Sequence, residues 1–419
     1  MQYIHTYATH NDYDLDDGKG YPNVGYVEGD DVVIYHMDEP SDDTWAKVHL
    51  TFEALEDGTF QFTSACTYSM DDGQTWSELA ELTSTPTVLA GEKIMFKAEN
   101  EPAGSHGCGT FLSTGEFNAM GNPLSMIYGD NFSGVTDLSE RTDALARLFN
   151  GCTFLVSAEN LSLPATALGM YEYRVMFQNC TSLTTPPQLP ATTLAENCYY
   201  GMFSNCTSLT TAPALPATTL VSGCYNSMFQ DCTSLTTAPA LPATTLVTGC
   251  YNSMFKGCTS LTTPPQLPAT TLASSCYYGM FSSCTSLTTP PQLPATALTS
   301  QGYYCMFSGC TSLTTAPALP ATTLASSCYH SMFKGCTSLT TSPVLSAATL
   351  ASSCYYGMFS GCTSLNYITM LATTASSSNM TNWVSSVAAT GTFVKNASMT
   401  SLRAGTSGIP RNWTVVDAS

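Results

Sequence analysis

The sequence predicts a repeat solenoid preceded by a small β-sandwich-like domain. Three observations carry that prediction. A Cys-Thr-Ser-Leu word recurs at a fixed step of 26 residues, with its cysteine at Cys180, Cys206, Cys232, Cys258, Cys284, Cys310, Cys336 and Cys362. Charge is divided between two parts: residues 1–150 hold 26 of the 31 Asp and Glu and six of the 12 Lys and Arg, a sum of -20, leaving +1 for the rest. The N-terminal part has none of the repeat words and instead shows hairpin patterns. A fixed period of this length means one supersecondary unit per repeat, each needing its neighbours to bury its apolar face.

The first 21 residues, "MQYIHTYATHNDYDLDDGKGY", form an acidic segment and a candidate anchoring arm. They lack a basic n-region and an apolar h-region, so the chain, taken as complete, is not expected to use the general secretory route. Asp12, Asp14, Asp16 and Asp17 near Gly18 suggest calcium. The loop departs from an EF-hand, because Asp17 stands where glycine is required and no Glu closes it; a solvated acidic tail is the simpler expectation.

Residues 22–104 are assigned to a small β-rich domain. "PNVGYVEGDDVVIYH" alternates apolar and polar residues on both sides of Gly29, as a hairpin does. In "SMDDGQTW", Ser69, Asp71, Gly73, Thr75 and Trp76 follow the pattern S-x-D-x-G-x-T-W. This resembles the Asp box of sialidase-type β-proteins, where the motif is structural: Asp71 and Gly73 would shape the turn and Trp76 would pack beneath it. A single copy cannot make a propeller, so sialidase activity is not expected. Residues 105–151 connect this domain to the array and are expected to cap it.

The solenoid is assigned to residues 152–372, about nine coils, beginning with a degenerate copy at Cys152, 28 residues before Cys180. At the spacing of paired strands, nine coils give a core about 43 Å long. Within one repeat "TSLTTPPQL" is expected to be extended and closed by prolines. Leu272, Cys276 and Met280 are spaced by four, as are Tyr277 and Phe281, which predicts a short helix of one or two turns. Phe281, Cys284 and Leu287 are the expected core positions, each coil stacking its copy on the next. Residues 373–419 are expected to form the C-terminal cap.

"MFSGCTSLTTAPALPATTL" resembles the BspA-like class of leucine-rich repeats, whose hallmark is an aromatic, two residues, a Cys, then a Ser-Leu pair opening the strand. The end of the chain, "NWVSSVAATGTFVKN" and "GIPRNWTVV", is similar to segments that close such arrays in gut-bacterial surface proteins and proteins of their phages. The resemblance implies recognition or adhesion without catalysis. Two origins fit: a phage virion component such as a fibre, decoration or receptor-binding protein, assembled in the host cytoplasm and exposed on the particle; or a bacterial cell-surface adhesin whose export signal this chain lacks. In the first, the partners are a bacterial surface glycan or protein, and other virion proteins reached through the N-terminal region. A homo-oligomer is compatible with either.

The eighteen cysteines are expected to be reduced and buried, because Gly302 replaces the first Cys of one repeat and Cys305 appears three residues later, breaking any strict pairing scheme. Bridges between neighbouring coils are the alternative. No CxxC or Cys/His cluster suggests zinc, and no cofactor is expected. Five of the six His precede the repeats and the sixth, His330, is isolated within them, so no Ser/His/Asp arrangement can be assembled. Nucleic acid is excluded by the lack of a Lys/Arg footprint. Membrane insertion is excluded by the lack of an apolar run of 18 or more residues.

Between Cys180 and Cys362 only Glu196, Asp231, Lys256 and Lys334 are charged, leaving a neutral, hydroxyl-rich surface. The residue two beyond the first Cys of each repeat varies: Tyr200, Asn226, Asn252, Tyr278, Tyr304, His330 and Tyr356. Stacking places these in one column. Either they contact a ligand, as Tyr and Asn suit sugar rings and amides, or they merely cover the wall.

Overall fold

The computed structural model describes residues 4–7, 24–28, 31–35, 45–99 and 107–418. Its two compact units divide at Trp45 and Ala46. In the first unit, β1 (Ile4–Tyr7), β2 (Val24–Glu28) and β3 (Asp31–Tyr35) form an antiparallel sheet in the order β1-β3-β2. The pair Glu28 and Asp31 closes the β2–β3 hairpin that the alternation around Gly29 predicts. The acidic segment at Asp12 to Asp17 lies outside the described residues.

The second unit starts with strands rich in phenylalanine: β4 (Leu50–Ala54), β5 (Phe60–Phe62), β6 (Cys66–Ser69), β7 (Ser77–Leu79), β8 (Lys93–Lys97), β9 (Phe111–Ser113) and β10 (Phe117–Met120). A single-turn helix, α1 (Ser125–Tyr128), follows. Strands β5 and β9 pair with each other, and the rest form a sheet in the order β11-β10-β4-β8-β6-β7, where β11 is Leu155–Ser157. Because β11 runs parallel to β10, the sheet carries straight into the first coils. Phe52 sits at the centre, its ring 4.8 to 5.1 Å from those of Phe60, Phe96, Phe111 and Phe117. The division at Trp45 differs from the boundaries drawn at residues 21 and 104, since strands β4 to β11 share one core with the array.

The repeats stack as a solenoid, and within each coil the buried residues are those the period selects: Phe281, Cys284 and Leu287 are all fully buried. The helix predicted from the four-residue spacing is not there. From Ser274 to Ser283 the chain is a run of turns, with φ of +53° to +62° at Ser275, Gly279 and Ser283, every fourth residue. Cys276 N–H donates to Ala273 O at 3.3 Å and Met280 N–H to Tyr277 O at 3.3 Å, closing the turns, whereas Gly279 N–H reaches Tyr304 O at 2.7 Å and Phe281 N–H reaches Met306 O at 2.9 Å in the next coil. A helix satisfies its donors within itself; here every second donor holds the neighbouring coil. A period of four also returns residues i and i+4 to one face, which is why the spacing imitates a helix.

The Thr-Pro segments stay extended but carry little ladder. Proline offers no N–H, so contacts between coils shrink to isolated bridges such as Thr237 with Thr263. Where "TSPVL" replaces "TPPQL", a full strand, β12 (Thr341–Leu345), appears. It opens a parallel sheet with β13 (Tyr367–Met370), β14 (Thr392–Lys395) and β15 (Thr414–Asp417), continuing the stack to the end of the described chain.

All eighteen cysteines are free, and all but Cys305 are buried. The Cys284 thiol donates to Phe255 O at 3.1 Å and the Cys310 thiol to Phe281 O at 3.0 Å, so these sulfurs point at the preceding coil's backbone. Burial pushes the thiol pKa up to about 12 at Cys276 and Cys310, which removes the reactive thiolate at neutral pH.

Candidate functional site: an outer column of stacked rings

The wall built from four-residue turns decides what the solenoid shows to solvent. In the first turn of each repeat the residue with positive φ is followed by two buried residues and then by one that faces outward, as in Ser275, Cys276, Tyr277 and Tyr278. Inward-facing tyrosines form one column and phenylalanines another, with successive Tyr rings 5.7 to 6.1 Å apart from Tyr173 to Tyr355. The outward positions form the third column, Tyr200, Asn226, Asn252, Tyr278, Tyr304, His330 and Tyr356. Tyr200 and Tyr356 are 37% and 38% exposed and the other five are half-buried.

Four of these residues make a ladder. Ring centroids lie 4.6 Å apart between Tyr278 and Tyr304, 4.2 Å between Tyr304 and His330, and 4.4 Å between His330 and Tyr356, with planes within 10°. Stacking uses up the faces of the inner rings. The ladder therefore offers edges and phenol hydroxyls in a row, not open faces on which a sugar could lie, and this revises how such a column would meet a ligand. Asn226 and Asn252 are oriented from the side: the Ser227 hydroxyl donates to Asn226 Oδ1 at 2.9 Å and the Ser253 hydroxyl to Asn252 Oδ1 at 2.8 Å. The supporting residues are small because they sit under the rings with positive φ; at Gly357 an added Cβ would lie 3.0 Å from Ser331 Oγ.

Electrostatics keep the ladder uncharged. Burial lowers the His330 pKa from its ordinary value, reinforced by the Lys334 ammonium, so the imidazole is neutral at pH 7. Burial raises the phenol pKa of Tyr278 and Tyr304. Lys256 and Lys334, both exposed, stand four residues beyond Asn252 and His330 on the same wall.

The turn between β6 and β7 is held by side chains. The Asp71 carboxylate accepts from Ser69 Oγ at 2.7 Å, from Thr75 N–H at 2.8 Å and from Thr75 Oγ1 at 2.6 Å. These bonds, led by those from Thr75, hold its pKa down at about 2. Gly73 takes φ +82° and its carbonyl accepts from Trp76 Nε1 at 3.1 Å. The Lys97 ammonium lies 4.2 Å from the centre of the Trp76 ring and donates to both oxygens of Asp130 at 2.8 Å. Each of these groups is engaged in holding the turn, so the cluster has the marks of a structural joint.

Sequence reasoning missed the start of the outer column. Arg174 occupies the place of Tyr200 one coil earlier, with Gln178 and Arg147 beside it. The signal was hidden because Glu172 stands where later coils have their first Cys. Among the described residues no group of three or more His, Cys, Asp or Glu could hold a metal ion, and no helix is long and apolar enough to cross a membrane.

Compared with known proteins, residues 146–288 and 250–383 match the BspA type leucine-rich repeat region, in six copies. No curated protein and no solved structure matches the chain. That family suggests a repeat-based surface or adhesion protein and is generally non-enzymatic. The matched segments span more than half of the 419 residues, and the chain accordingly belongs to the BspA-type leucine-rich repeat family.

Proposed function

We propose that the protein binds a bacterial surface glycan or protein through the outer column of the solenoid, without catalysis, as a virion component contacting a gut-bacterial host. The single observation that carries the binding face is the ladder from Tyr278 to Tyr356, with ring spacings of 4.2 to 4.6 Å on a wall nearly free of charge. Rows of phenol and amide groups repeat along the axis, so weak contacts multiply, and several copies on one particle would add avidity. Free, buried thiols suit assembly in a reducing cytoplasm, which favours the virion over an exported adhesin. The charge of -20 on residues 1–150 is repelled by an anionic envelope and is better suited to docking on other virion proteins. A bacterial cell-surface adhesin using the same face is the second reading, favoured by family membership.

The full chain displayed on beads should bind susceptible cells, and changing Tyr278, Tyr304 and Tyr356 together to Ala should weaken that binding with the circular dichroism spectrum unchanged. Undiminished binding by the triple variant, or all binding residing in residues 1–45, would remove the solenoid face from the function. Purified virions probed with antibody to the chain decide between the two origins.

A further inference from the structure

A cavity of about 410 Å³ opens at the N-terminal end of the outer column, where Arg147, Asn150, Arg174, Gln178 and the wall of Tyr200 converge. It differs from the rest of the solenoid in charge. Arg147 and Arg174 both line it and no acidic residue does, whereas the stretch from Cys180 to Cys362 has only Lys256 and Lys334 as cations. The polar groups are set in place by their neighbours. Asn150 Nδ2 donates to Gln178 Oε1 at 3.1 Å, which turns Asn150 Oδ1 into the acceptor of the pair and Gln178 Nε2 into its donor. The Arg174 guanidinium, 5.0 Å from the Tyr171 ring, makes an ion pair with Asp143 at 3.2 Å. Tyr200, 37% exposed, adds an apolar wall.

We infer that this cavity is an end subsite for an acidic sugar, a pyranose bearing a carboxylate. Guanidinium forks match a carboxylate in shape and charge, the amide pair supplies one donor and one acceptor for ring hydroxyls, and the Tyr200 ring covers the apolar side of the sugar. A glycan chain anchored there would run along the ladder of phenol edges. The inference rests on the outer face being the binding face.

The test is titration calorimetry of the full chain with glucuronate, and with glucose as its neutral counterpart. Glucuronate should bind with a Kd on the order of millimolar, as fits a ligand of its size, weakening as salt is raised, and glucose should bind far more weakly. Arg147→Gln should weaken glucuronate binding about tenfold or more, and Arg147→Lys should fall between, keeping the charge but not the fork. Melting temperatures equal to the parent's show that the variants fold, and Gln178→Ala, outside any ion pair, gives a second loss if folding suffers. Equal affinity for both sugars, no affinity for either, or an Arg147→Gln chain that binds as the parent does would each overturn the inference. A parent indifferent to glucuronate, beside a Tyr triple variant that loses cell binding, sinks the subsite and leaves the binding face standing. Glucuronate binding that depends on Arg147, beside a triple variant still binding cells, does the reverse.

Discussion

Glu172 is fully buried in the column that later coils fill with Cys198, Cys224 and Cys250. Burial raises its pKa from the ordinary 4.5 to about 7, against the opposing pull of backbone N–H groups at Ala144 and Leu145. A carboxyl whose folded pKa lies above its unfolded one holds its proton more tightly in the native state. Its most favourable contribution is therefore present below about pH 4.5 and is lost as pH rises to 7. Ionised in place at pH 8, it costs about 3 kcal/mol. Glu172→Gln should thus raise the melting temperature at pH 8 and gain little at pH 5; a gain independent of pH would show that ionisation is not what burdens this site. Phe281 stacks between Phe255 and Phe307 at 5.8 Å on each side. Phe281→Ala should cost about 3 to 5 kcal/mol, and hydrogen exchange should rise mainly in the adjacent coils. An unchanged melting curve would contradict its place in the column.

At the scale of the coil, the turn period explains which parts of the fold could be read beforehand. The 26-residue step and the identity of Leu287, Cys284 and Phe281 as core were legible, because burial selects residue type directly. The path between them was not, since turns and helices both return residues i and i+4 to one face, and serine at Ser275 or Ser283 carries no mark of positive φ. Asn179, Asn205 and Asp231, at φ +58° to +63°, do carry that mark in the equivalent place. The outer column was legible as a register, but its ring faces stack on one another, a detail of geometry that no spacing encodes. Gly279, at φ +57°, tests the turn period. Gly279→Val should destabilise by about 1 to 2 kcal/mol, whereas Ser308→Val, at an outward position of the same wall one coil on, should stay within about 0.5 kcal/mol. Equal losses in chemical unfolding would mean that the backbone is not held in this conformation.

Across the whole of the second unit one continuous aromatic path joins the strand-rich region to the end of the array. It leaves the Phe52 cluster through Phe111 and Phe149, runs up the phenylalanine column from Phe177 to Phe359, and meets the tyrosine column at Trp383, whose indole N–H donates to Gly408 O at 2.7 Å. A stack of equal coils makes stability a sum of coil and interface contributions, so removing one full period should shorten the molecule without breaking it. Deleting 209–234 joins Ser208 to Leu235 and restores the same Thr-Ser-Leu-Thr words, removing Asn226 but leaving the ladder from Tyr278 to Tyr356 whole. Deleting 287–312 does the same to the fold but takes out Tyr304, leaving a ladder of three rings. Both chains should fold, with unfolding shifted to lower denaturant by similar amounts. On beads the first should keep its hold on cells while the second loses part of it. Equal loss by both would mean that length, and not the ladder, governs binding, and failure of either to fold would show that the coils are not interchangeable.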